Sequence, residues 1–112
     1  MSQNGPELTE KSVVVLDAIV SRIPWIVETK VWRELESRAA IGRKTYGVPL
    51  CTHNGRDVSR DEREEILDAL AYAMQDILEA SDSGEAERES RAWGRLAAYV
   101  AVLQSGWEVL AR

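Results

Sequence analysis

The sequence predicts an all-α protein, a four-helix bundle with one long ordered loop between helices 2 and 3. Three observations carry that expectation. Apolar residues recur three and four positions apart through most of the chain. Proline, glycine and serine-rich breaks fall between these stripes. The last segment carries an a/d seam of almost three heptads. At 112 residues, the length fits one helical domain spanning 1–112.

The first helix is expected from Pro6 or Glu7 to Arg22, with Pro6 suited to its first turn. Leu8, Val15, Leu16, Ile19 and Ile23 form its stripe, although Val13, Val14 and Val15 locally favour a strand. Pro24 interrupts this pattern and opens the second helix, which carries Val27, Val31, Leu35 and Ala39 at i, i+4 spacing and ends near Gly42. The third helix has a start signal at Ser59–Glu62, where Ser59 and Glu62 fit a capping box. Asp57 is an alternative cap. Ile66, Leu70, Ala73 and Ile77 give the helix its apolar face. Ser81–Gly84 reads as a loop, and an acid-rich turn then opens the fourth helix. There Trp93, Leu96, Val100, Leu103, Trp107 and Leu110 alternate spacings of three and four. Core packing explains such a seam. Pairing with another subunit through Trp93 or Trp107 is the competing explanation. Four tryptophans and no phenylalanine favour an interface, so a homo-oligomer is expected.

Composition excludes several classes. The net charge of -5 offers no basic footprint for nucleic acid or an anionic membrane. No apolar run reaches the roughly 20 residues that span a bilayer. Met1–Glu10 carries no signal-peptide pattern. A single cysteine suits a reducing cytoplasm. One cysteine and one histidine cannot close a structural zinc site within one chain. No Gly-rich phosphate loop, G-x-S-x-G elbow or H-E-x-x-H is present.

Function has to be sought between Gly42 and Gln75. On the third helix Asp61, Glu65 and Asp68 fall at i, i+4 and i+7. At about 100° per residue they share a face with Tyr72, with Glu64 on the flank. The macrodipole favours acids near a helix N-terminus without any function. The same row can instead hold a hard cation such as Mg²⁺, which prefers oxygen ligands and commonly sits with substrate phosphates. Spacing does not choose between the two. Arg43, Lys44 and Arg56 precede the row, and such cations are suited to phosphate. Tyr46 and Tyr72 suit either packing or a nucleoside contact, and Asn54 and Asp57 are further candidates for nucleoside or loop contacts, Asp57 as an alternative to capping. Cys51-Thr52-His53 invites a catalytic-thiol or metal reading, but no partner constellation accompanies it.

The run from Gly42 to Gln75 resembles small bacteriophage and prophage proteins grouped with the MazG-like all-α nucleoside triphosphate pyrophosphohydrolases. The pattern Y-G, a Leu three residues on, N-G-R-D and E-E-x-x-D-x-x-x-Y falls here on Tyr46, Gly47, Leu50, Asn54, Gly55, Arg56, Asp57, Glu64, Glu65, Asp68 and Tyr72. The resemblance covers about 40 residues and implies an oligomerising four-helix protein that binds Mg²⁺ or Mn²⁺. It also implies a hydrolase releasing pyrophosphate from a nucleotide, in the cytoplasm of the host if phage-encoded. Its second metal motif, E-x-x-D, is present as Glu65 and Asp68. Its first, E-x-x-E, keeps Glu36 but has Ala39 at the partner position. Glu28 is a candidate replacement ligand, expected among Val31, Trp32 and Leu35 on a buried face. Two readings follow: a pyrophosphohydrolase using Glu36, Glu65 and Asp68, or a nucleotide-binding or nucleotide-sequestering protein with the same fold. A dimer or tetramer is expected in either case.

Overall fold

A computed structural model of the chain describes residues 7–105. The protein is all-α, and its described residues form four helices: α1 (Val15–Arg22), α2 (Lys30–Tyr46), α3 (Val58–Asp82) and α4 (Ala86–Ser105). A long connection joins α2 to α3. A single turn of 3₁₀-helix, Pro24–Glu28, lies between α1 and α2. The chain divides into two compact units, Met1–Arg56 and Asp57–Arg112. Among the described residues, no helix is long and apolar enough to cross a membrane.

In the first unit, α1 begins at Val15 rather than near Glu7. Thr9 and Ser12 use their hydroxyls on nearby backbone: the N–H of Thr9 donates to Ser12 Oγ and that of Lys11 to Thr9 Oγ1. Such local bonds compete with a helical ladder. The β-branched run that follows is stiff and extended. Val14 forms an antiparallel bridge with Cys51. Around it, Val15 N–H donates to the Leu50 carbonyl at 2.9 Å, Thr52 N–H to the Val13 carbonyl at 2.8 Å, and Glu7 N–H to the Asn54 carbonyl at 2.7 Å. The segment before α1 therefore straps the long loop. Pro6, the expected first turn, lies outside the described residues.

The second expected helix also divides differently. Pro24 opens the 3₁₀ turn, with Ile26 buried beneath it. Thr29 then caps a new helix, its Oγ1 accepting from Trp32 N–H at 3.3 Å. Glu28 and Val27 fall in the separate turn, off the α2 stripe and exposed. Helix α2 passes through Gly42 and ends four residues later. An interior glycine costs only about 1 kcal/mol, whereas Gly47 at φ +80 supplies the left-handed residue that stops a helix, its N–H bonding the Arg43 carbonyl.

The second unit is a helical hairpin. Asp57, not Ser59, is the N-cap of α3: its Oδ1 accepts from Arg60 N–H at 3.1 Å. The Schellman turn at the other end has Glu85 N–H on the Ala80 carbonyl, Gly84 N–H on that of Ser81, and Gly84 at φ +70. Helix α4 then packs along α3. Ala73, Ile77 and Ala80 from α3, with Ala92 from α4, are the buried residues of this seam. Small side chains here let the two helices approach closely. Leu96, Val100 and Leu103 are half-buried around them, while Trp93 stands about half exposed. Trp107 and Leu110, the rest of the expected seam, lie outside the described residues.

One edge of the hairpin is held by charge. Asp76 Oδ1 accepts from Arg88 Nε at 2.6 Å and Oδ2 from Arg95 Nη2 at 2.6 Å. Arg88 also reaches Glu85 at 2.9 Å. The two guanidinium hydrogen bonds, from Arg88 first and then Arg95, hold the Asp76 carboxyl below its ordinary value of 3.8. A lowered folded-state pKa means the unfolded chain binds this proton more readily. The contribution to stability is present above the ordinary aspartate range and fades as pH falls through the folded-state value.

Two predictions follow from these contacts. Asp76→Asn lowers the melting temperature at pH 7, and the gap from wild type closes as pH falls below the ordinary carboxylate range; a gap independent of pH contradicts the assignment. Gly55, at φ +84, leaves a substituent Cβ only 2.8 Å from Glu7 Oε1, whereas Gly47 has open space around it. In denaturant titration, Gly55→Ala therefore destabilises more than Gly47→Ala, with strain alone costing about 1–3 kcal/mol in each.

Candidate functional site

The acidic row of α3 lies beside the seam that Ala73, Ile77 and Ala80 commit to α4. Glu65, Asp68 and Tyr72 are exposed, and Asp61 is half-buried in the first turn. The row is not uniform. Asp57 is used as the cap. Glu64 pairs with Arg60 at 3.5 Å across one turn. Asp61 is engaged by other groups. Glu65 and Asp68 take neither a hydrogen bond nor an ion pair from the described residues.

Residues at i and i+3 are neighbours on a helix surface. Glu65 and Asp68 therefore present two hard oxygen donors side by side. Among the described residues, no three of His, Cys, Asp and Glu gather into a group that could hold a metal ion. Mg²⁺ is commonly held by one or two carboxylates together with substrate phosphates and waters. The donor chemistry of this pair fits that requirement.

The remaining expected residues lie in the first unit. Glu36 is exposed on α2, and Ala39, one turn on, is half-buried. Arg43 and Lys44 sit in the last turn of α2, where cations complement the helix dipole. They are helical, not part of the loop as the sequence suggested. Tyr46 ends the same helix and is exposed.

Glu28 corrects an expectation. It does not project among Val31, Trp32 and Leu35, because Thr29 starts α2 afresh after the 3₁₀ turn. It lines a shallow polar recess of about 320 Å³ with Thr29, Lys30 and Arg33.

The N-G-R-D turn performs structural tasks. Asn54 Oδ1 accepts from Arg56 N–H at 3.0 Å, while the Asn54 carbonyl accepts from Glu7. Gly55 supplies the left-handed residue. Arg56 is half-buried and engaged. Cys51 is buried and its Sγ donates to the Pro49 carbonyl at 3.4 Å, which suits packing rather than a reactive thiol. His53 serves the turn through its carbonyl, which accepts from Ser12 Oγ.

A feature that periodicity along one helix does not reveal lies within the hairpin. A recess of about 420 Å³ has Tyr72, Gln75, Asp76 and Glu79 of α3 on one side and Arg95 and Tyr99 of α4 on the other. Arg95 and Tyr99 are four apart, the spacing that puts both on one helix face. Only their partnership with α3 gives that spacing significance. Compared with models of known protein families, with curated proteins and with solved structures, the chain matches none.

Proposed function

We propose that the protein is a metal-dependent nucleotide pyrophosphohydrolase. The observation that carries this reading is the pair Glu65 and Asp68. They are the carboxylates of the E-x-x-D motif, exposed on one face and without a partner among the described residues, while Asp57 and Glu64 beside them are engaged. The resemblance through Tyr46, the N-G-R-D turn and Tyr72 adds the substrate class. It also assigns Glu36 as a third metal carboxylate and Arg43, Lys44 and Arg56 as phosphate contacts.

In this reading Glu65 and Asp68 would hold Mg²⁺ or Mn²⁺. Such an ion would supply positive charge and a more acidic water. The carboxylates would fix where that charge sits. A water oxygen bonds to the α-phosphorus, and the bond from that phosphorus to the α–β bridging oxygen breaks. The bridging oxygen leaves with pyrophosphate, the nucleoside monophosphate remains, and one proton passes to solvent.

A second reading, nucleotide binding or sequestration without turnover, is favoured by one specific observation. Ala39 stands where the other motif needs its second acid, and Glu28 belongs to a separate turn. Fewer carboxylates still permit a metal–nucleotide complex to bind, but they organise it less for reaction.

Incubation with a panel of nucleoside and deoxynucleoside triphosphates plus Mg²⁺ or Mn²⁺ separates the two. Catalysis yields monophosphate and pyrophosphate, and Glu65→Gln or Asp68→Asn lowers turnover by about 100-fold or more while the circular dichroism spectrum stays helical. Tight binding with no product supports sequestration. Normal turnover by both variants contradicts the site.

A further inference from the structure

The recess between α3 and α4 lies on the same side of α3 as the carboxylate pair. Tyr72 follows Asp68 by four residues, a rise of about 6 Å, and Glu65 by seven, about 10 Å. A ligand held at its charged end by Glu65 and Asp68 through a cation therefore extends along α3 toward the recess. The floor is formed by Ala69 and Ala73, which present nothing beyond Cβ. The walls carry two tyrosine rings, of which Tyr72 is 68% exposed.

The charges of the recess leave little to hold a phosphate. Asp76 and Glu79 contribute two carboxylates, and the cations that meet them, Arg95 of the lining and Arg88 beside it, are already bound to these acids. A polyanion finds only cations already committed to carboxylates there, whereas a neutral planar group finds aromatic faces and polar edges. Gln75 donates from Nε2 to Glu79 at 2.8 Å, leaving its carbonyl oxygen to accept. The tyrosine hydroxyls have no partner among the described residues. A volume of about 420 Å³ is within the range of small-molecule sites.

Resting on the nucleotide reading above, we propose that this recess is the nucleobase subsite, with the base stacked on Tyr72 beside Tyr99 and its edge facing Gln75. Base–aromatic stacking tolerates all four bases because each has a π-face. Tyr72 is then a binding residue through its ring rather than its hydroxyl.

Calorimetric titration with non-hydrolysable α,β-imido nucleoside triphosphates and with inorganic tripolyphosphate, each with Mg²⁺, tests the assignment. Tyr72→Ala weakens the tightest analogue by about tenfold, Tyr72→Phe by less than about threefold, and tripolyphosphate affinity changes by less than about twofold in both. Ala69→Leu, which fills the half-buried floor, also weakens the analogue selectively. If wild type binds the analogues and Tyr72→Ala and Ala69→Leu bind them equally well, the recess assignment is overturned while the nucleotide reading stands. Equal loss of analogue and tripolyphosphate in Tyr72→Ala also overturns it, because the ring then acts through the fold. Wild type that binds neither ligand overturns both.

Discussion

The pairing of α3 with α4 is the constraint on which the functional reading depends. Ala73, Ile77 and Ala80 meet α4 around Ala92, and that burial fixes which side of α3 faces outward. At 3.6 residues per turn, the row from Asp61 through Glu65 and Asp68 to Tyr72 then falls on the flank beside that seam, where Glu65, Asp68 and Tyr72 are exposed. Asp76 adds directional contacts to two different turns of α4, through Arg88 and Arg95. Hydrophobic burial is non-directional, whereas a carboxylate shared by two guanidinium groups specifies axial register. Sliding α4 by one turn keeps an apolar seam but separates those charges. The lowered pKa of Asp76 is the same constraint expressed as a proton affinity.

The loop motif looks different once its local bonds are known. Asn54, Gly55 and Asp57 have the residue types of a binding loop, yet each performs a backbone task. Asn54 closes a turn, Gly55 takes a left-handed conformation, and Asp57 satisfies an orphan amide of α3. Glu65 and Asp68 have no such task. Exposed carboxylates without partners contribute little to a fold, and that separates them from the rest of the acidic row. The functional weight therefore shifts from the loop to one turn of α3.

Much of this was legible in the sequence. The all-α class, the shared face of the α3 row and a break at Gly84 follow from periodicity and turn chemistry, although Ser81 and Asp82 still belong to α3 rather than to the break. The boundaries that failed did so where local effects compete with period. Thr9, Ser12 and the valine run draw residues before Val15 into extended structure, and Thr29 outcompetes Pro24 as the start of α2. Asp57 caps α3 two residues before the capping-box pattern begins. Trp93 fits a heptad seam, but a straight helix drifts by about 20° per heptad. Ala92 occupies the centre of the interface instead. The Asp76 pairs, twelve and nineteen residues apart, and the recess beside them arise from two helices meeting, so no pattern within one helix reveals them.

The central claim is that Glu65 and Asp68 are metal-ligating groups rather than a solvated acidic surface. Mn²⁺ titration monitored by paramagnetic broadening of backbone amide resonances tests it most directly, because it reads location without requiring turnover. The account predicts that broadening in the presence of a non-hydrolysable nucleotide is centred on Glu65–Ala69 and is lost in Glu65→Gln/Asp68→Asn. Broadening centred on Glu79 and Glu85, or spread evenly over the acidic surface, contradicts it.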